Sequence, residues 1–401
     1  MSILSWLSGW WKRRSRNDRP AFGSSRRFHL EQFEQRVVPS AGWPRAPLGE
    51  QALVQGEATS AKPDVNLSQP AMRLLSSHDN GESQSNWVIV STGNGGPNIV
   101  RIYTPTGQFL KQFTPFAPSM KGGVRVAAGD MTGDGIPELF CSLGNGGPPV
   151  VRIYDGANVY QPTLPLVMIR QLQVYPSGYA AGVNLTVGDV AGDGSLELIT
   201  APVYGGEANI RIINPNDGTL IKTISAFPAG NKQGLRIAVG DIDGTGKLEI
   251  LAARARVSLP IINVLNAETG TVTNSLRVYG NFTNGLFVAA GDANSDGKDE
   301  IFASQDAYAY PAVQIWDVSG STPKLLRQVQ AYTPQAVYGT RIWAGALQAT
   351  VPHAQLVTSQ GVDGPNRIKV FNSGNGKLQY AWDAFGPNMK AGLYVFAVPK
   401  G

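Results

Sequence analysis

The run Gly291-Asp292-Ala293-Asn294-Ser295-Asp296-Gly297-Lys298-Asp299-Glu300 places oxygen-bearing side chains at alternate positions. Asp292, Asn294 and Asp296 are spaced by two, Gly297 follows, and Glu300 closes the run before the apolar Ile301-Phe302-Ala303. A hard cation such as Ca²⁺ takes several oxygen ligands from a tightly curled loop. Alternating side chains, the Lys298 carbonyl and the final carboxylate can supply them, and glycine permits a turn that a Cβ would hinder. The same frame returns at Asp130-Met131-Thr132-Gly133-Asp134-Gly135-Ile136-Pro137-Glu138, from Asp189 to Glu197, and from Asp241 to Glu249. The competing reading is that Asp-Gly here makes only hairpin turns.

These loops need elements to hold them, and the surrounding chain falls into repeated units when Gly-Asp is used as the ruler, at Gly129-Asp130, Gly188-Asp189, Gly240-Asp241 and Gly291-Asp292. Each loop follows a short strand: Val124 to Ala128, Val183 to Val187, Leu235 to Val239 and Leu286 to Ala290. A fifth unit keeps the strand (Thr340-Arg341-Ile342-Trp343-Ala344) but has no acids in its loop at 346–352, so no metal is expected there. A second apolar strand follows each loop. The third has alternating character, as in Val151-Arg152-Ile153-Tyr154, Ile210-Arg211-Ile212-Ile213 and Ile368-Lys369-Val370-Phe371. Its middle polar residue points away from the face used by its apolar neighbours. We read these residues as solvated or hairpin-pairing rather than as a ligand ring. A fourth strand completes the unit.

The two ends complement each other. Trp87-Val88-Ile89-Val90-Ser91 and Gly93-Asn94-Gly95-Gly96-Pro97 match the middle of a unit whose first strand is missing. Met389-Lys390-Ala391-Gly392-Leu393-Tyr394-Val395-Phe396-Ala397 matches Met120 to Ala128, a first strand with nothing after it. Four-stranded units arranged radially leave only short, protected edges. The expectation is therefore an all-β, six-bladed propeller over 87–401, its first blade completed by a strand from the C-terminus.

Composition supports that division. The chain has 401 residues with 47 Gly, 27 Pro and 42% apolar residues, a balance that favours many turns over disorder. Residues 1–45 carry nine basic and three acidic residues; of the 34 and 29 in the chain, 25 and 26 remain, so the body is near neutral. Only the head is basic, and no nucleic-acid partner is expected. Residues 46–86, rich in Pro, Ser, Gln, Gly and Ala, read as a flexible linker behind a disordered targeting segment. The head puts its apolar Trp-rich stretch before Lys12-Arg13-Arg14, the reverse of a secretory signal, and no run is long enough to cross a membrane. One cysteine, Cys141, excludes an internal disulfide and reads as a buried strand thiol, and three scattered histidines form no metal pair. Trp316, Trp343 and Trp382 lie within strands and read as core.

Two resemblances add to this. Phe28-His29-Leu30-Glu31-Gln32-Phe33-Glu34-Gln35-Arg36-Val37-Val38-Pro39-Ser40 resembles a segment near the start of many planctomycete proteins thought to be exported. It implies a secreted or cell-envelope protein. The recurring loop and strand resemble the FG-GAP or VCBS-type repeat of integrin-like β-propellers, whose loop binds structural Ca²⁺ through its first, third, fifth and ninth side chains and seventh carbonyl. Mapped here, the resemblance implies Asp292, Asn294, Asp296, Lys298 (carbonyl) and Glu300 as a full set. Asp130, Thr132, Asp134, Ile136 (carbonyl) and Glu138 carry a hydroxyl at the third place; Asp241, Asp243, Thr245, Lys247 (carbonyl) and Glu249 carry one at the fifth. Asp189, Asp193, Ser195 (carbonyl) and Glu197 lose a ligand to Ala191. Fewer charged oxygens bind more weakly, so the expected order is 292, 130, 241, 189. The expected function is a monomeric, non-enzymatic adhesion or binding module for a protein or glycan. The alternative is a polysaccharide hydrolase or lyase with its site in the propeller centre.

Overall fold

The computed structural model describes residues 86–398 apart from 231, 307, 308 and 349. The basic segment 1–45, with its export-type motif, and all of the linker but Asn86 lie outside the described residues. Asn86 itself donates its amide to the buried Leu347 carbonyl.

Six four-stranded antiparallel sheets make up the described chain, together with one short helical turn at Gly156–Val159. The second blade is typical, running outward through Val124–Gly129, Glu138–Leu143, Val150–Tyr154 and Met168–Gln173. Its inner three strands are buried on both faces, which explains their nearly continuous apolar runs. The innermost strands Val124–Gly129, Val183–Gly188, Leu235–Gly240, Leu286–Gly291, Thr340–Gly345 and Leu393–Val398 each touch the next, and the last touches the first. The ring closes as expected. Leu393–Val398 pairs antiparallel with Trp87–Thr92 in the register Trp87↔Val398, Val90↔Val395 and Thr92↔Leu393.

The core lies between the blades rather than at the centre. Six apolar slabs form, each from two neighbouring blades. Strand alternation feeds them: Leu139, Cys141 and Leu143 face the slab shared with the first blade, whereas Phe140 faces the slab shared with the third. Cys141 is buried and unpaired, and burial pushes its thiol well above the ordinary range.

Polar contacts stitch blade to blade at repeated positions. Ser91, Ser142, Ser304 and Ser359 each donate a hydroxyl to the first carbonyl of the next innermost strand, at 2.6–2.8 Å. The third-strand cations differ from the solvated reading. Arg101 Nη1, Arg152 Nη1, Arg211 Nη1 and Lys369 Nζ donate to the Ala384, Pro115, Val174 and Ala331 carbonyls of the preceding inter-blade junction at 2.6–2.9 Å. Each also lies over an aromatic ring there, Phe385, Phe116, Tyr175 and Tyr332 respectively. Arg101 and Arg152 still pair within the hairpin, through Gln112 and Gln171. A long side chain on a narrow wedge reaches its neighbour before it reaches solvent.

Candidate functional site

All four acidic loops fold alike. Their first aspartate caps the turn: Asp130 accepts from the Gly133 and Gly135 amides, Asp189 from Gly192 and Gly194, Asp241 from Gly244 and Gly246, and Asp292 from Ser295 and Gly297. The ninth-position glutamate reaches back to the loop base. Glu138, Glu197, Glu249 and Glu300 accept from the amides of Met131, Val190, Ile242 and Ala293 at 2.7–3.0 Å. All four glutamates are buried, and burial raises each of their pKa values. Glu300 is pushed up to about 7, by burial and then by the nearby Asp296 and Asp292 charges, against the Ala293 amide.

The loops differ at their centres. Around Asp241, carboxylate oxygens of Asp241, Asp243 and Glu249 lie within 4.8 Å of one another, the one such group of three among the described residues. It stands third in the expected order. In the loop at 292, the Asn294 amide sits between the acids, donating Nδ2–H to Asp296 Oδ2 at 3.0 Å and Glu300 Oε1 at 2.7 Å. Thr132 Oγ1 takes a looser version of that place, 3.4 Å from Glu138 Oε1. At 189 the Asp189 Oδ1 is shared between the Gly192 and Asp193 amides, and Ala191 offers no side-chain oxygen. The donor chemistry of the 241 loop, three convergent carboxylates with one buried, fits a divalent cation.

Neighbouring loops also touch. Asp299 Oδ2 accepts from the Asp241 amide at 3.0 Å, and its own amide donates to the Asp241 carbonyl at 2.8 Å. Burial raises the Asp299 carboxyl to about 6 despite that amide, with the Asp241 and Asp292 charges adding to the rise. Ser295 bonds the Pro352 carbonyl and His353 Nδ1, so the acid-free loop of the sixth blade rests against the loop at 292. Asp299, Ser295 and His353 carry no motif of their own, and sequence reasoning gave them no role.

Residues 189–252 match the FG-GAP-like repeat family. The match spans one loop, the rest of its blade, and the first strand, loop and most of the second strand of the next. No curated protein matches the chain in sequence. Among solved structures, the fold is similar to an Agrocybe aegerita lectin described for specific recognition of non-reducing terminal N-acetylglucosamine. The identity is 15% and the TM-score 0.44, over 79% of this chain and 86% of that one. It is also similar to a chain of a nidogen–laminin complex, at 11% identity and a TM-score of 0.48 over 78% and 98% of the two chains. A Dos1 propeller is similar at 11% identity and a TM-score of 0.42 over 78% and 76%.

Outside the FG-GAP-like loops, the innermost strands enclose a central cavity of about 190 Å³. Its lining is aliphatic and aromatic apart from Arg125, Asn184, Thr186 and Arg236. Trp316, Trp343 and Trp382 all pack against inter-blade slabs, and Trp343 also lines the cavity. Among the described residues, no helix is long and apolar enough to cross a membrane.

Proposed function

We propose that the chain is a Ca²⁺-stabilised, non-enzymatic β-propeller of the cell envelope that binds a protein or glycan through its loop-bearing faces. The observation that carries the cation is the fourfold recurrence of one loop, with Asp241, Asp243 and Glu249 already convergent. Asp241, Asp243, the Thr245 hydroxyl, the Lys247 carbonyl and Glu249 would hold it there; Asp292, Asp296 and Glu300 would do so at the fifth blade, with Asn294 turning its amide oxygen inward. The bound ion supplies charge that offsets crowded carboxylates; the chain's own amides hold those carboxylates in place. Loops on a rigid scaffold are the usual carriers of binding. A channel lined largely by apolar residues supports ligand retention rather than acid–base chemistry.

Titration calorimetry with Ca²⁺ tests the cation, with an expected dissociation constant of roughly 10⁻⁴–10⁻³ M. Thermal melting with excess chelator should lower the midpoint, and Asp241→Ala should remove part of that response. Melting curves indifferent to chelator, Ca²⁺ and Asp241→Ala alike would remove the structural-metal role. A glycan and cell-surface-protein array probed with the full chain tests the binding role. Sedimentation tests the expected monomer, and cell fractionation tests export.

A further inference from the structure

At the end of the channel remote from the acidic loops, the second residues of the innermost strands form one ring: Arg125, Asn184, Arg236, Phe287 and Tyr394 line the cavity, and Arg341 joins them by lying over the Phe287 and Tyr394 rings. The arginines stand on the second, fourth and sixth blades, so the three guanidinium groups alternate around the axis. Arg125 and Arg341 are only 7% and 6% exposed. Arg125 Nε donates to Asn184 Oδ1 at 3.1 Å, and Arg341 Nη1 to the Gln360 carbonyl at 2.9 Å. Four further donors are not served: Arg125 Nη1, Arg236 Nε and Nη1, and Arg341 Nε are buried with no acceptor. Buried charged donors without acceptors are strongly disfavoured unless something supplies the missing oxygens.

The local charge is also out of balance. Asp306 Oδ2 lies 3.8 Å from Arg236 Nη2, so three positive groups and one negative group leave two positive charges. Rings hold the guanidinium planes in place. Arg125 and Arg341 lie 3.7 and 4.4 Å from the Tyr394 centroid, and Arg236 lies 4.7 Å from that of Phe287. Burial lowers the Arg125 pKa to about 10, and the like charges of Arg236 and Arg341 act in the same direction, against Tyr394. These features come from strand positions, and none depends on the cation loops.

We propose that this ring is a binding site for one compact tetrahedral oxyanion, a phosphate or sulfate group, free or at the end of a sugar. Such a group offers three oxygens about a three-fold axis, which suits donors on alternate blades, and its double negative charge matches the surplus. Guanidinium forks are well suited to it. The next layer along the channel is aliphatic, with Val126, Leu185, Ile237, Val288, Ile342 and Val395. A larger ligand would therefore enter with its anionic end and go no deeper.

Titration calorimetry of the full chain against inorganic phosphate and sulfate, at matched ionic strength, tests the site. Saturable one-to-one binding is expected, with acetate much weaker. Arg236→Gln should weaken it about tenfold or more, the loss of a charge-assisted contact, with an unchanged circular dichroism spectrum. Glucose 6-phosphate in a parallel titration separates the sources: tighter binding than phosphate points to a sugar-borne group, weaker binding to the free ion, and either supports the site. No saturable binding of phosphate or sulfate by the folded chain, or equal affinity in Arg236→Gln, overturns it. A second readout uses the wild-type chain, in case that variant does not fold. Saturating phosphate should move the Tyr394 phenol titration, identified by its absence in Tyr394→Phe, to higher pH. An unmoved midpoint also overturns the proposal.

Discussion

At the scale of single residues, two kinds of group stand out: the loop carboxylates and the half-buried phenol of Tyr394. A cation that binds only the folded chain stabilises it by about 2.7 kcal/mol at a hundredfold excess over its dissociation constant. Chelation at that point should lower the melting midpoint by several degrees, and differential scanning calorimetry would show it. Tyr394 gives a separate prediction. Burial pushes its phenol up, but Arg125, Arg341 and Arg236 together outweigh burial and the Asp306 charge and hold it at about 8. The folded phenol thus releases its proton before the unfolded one, whose value is 10.0. Its contribution to stability is absent below pH 8, grows between 8 and 10, and is complete above. Urea midpoints across that range should rise more in the wild type than in Tyr394→Phe; parallel curves would contradict the assignment. The acidic loops were legible because their alternating acids and glycines are written in consecutive residues. The arginine ring was not. Arg125 and Arg341 each look like an outward polar residue of a half-solvated strand, and only closure of the circle turns that face inward.

At the scale of elements, glycine and serine govern how closely blades approach. Gly234, just before the innermost strand of the fourth blade, has φ 72°, and a Cβ there would lie 2.0 Å from the Val203 carbonyl oxygen of the third blade. Gly182 stands in the same place one blade earlier, 2.3 Å from Gly144. Gly234→Ala combines an unfavourable left-handed backbone with a backbone collision, and should destabilise by about 2 kcal/mol or more in a urea titration. Ser304→Ala removes a buried donor and strands the Thr340 carbonyl, which should cost about 1–3 kcal/mol. The strands themselves were legible from alternation and from Gly-Asp punctuation. The stitching was not, because Ser142 or Arg152 meets its partner across a boundary that no local pattern marks.

At the scale of the whole molecule, the pairing of Leu393–Val398 with Trp87–Thr92 converts a stack into a ring. Deleting residues 393–401 would expose Val88 and Val90, now fully buried, together with one edge of the first blade. The truncated chain should melt at a lower temperature and over a broader range, with loss of cooperativity visible by calorimetry. An unchanged, sharp transition would show that the ring does not need its clasp. This closure was legible because two half-units at opposite ends complete each other in sequence. The pairing also sets a schedule. A chain made from its N-terminus forward holds a blade it cannot finish until residues 393–398 have been made, about 300 residues after Trp87–Thr92, so native structure in that blade must wait for them. Nascent chains stalled before residue 393 should therefore stay open to protease at Trp87–Thr92, where the finished ring is closed.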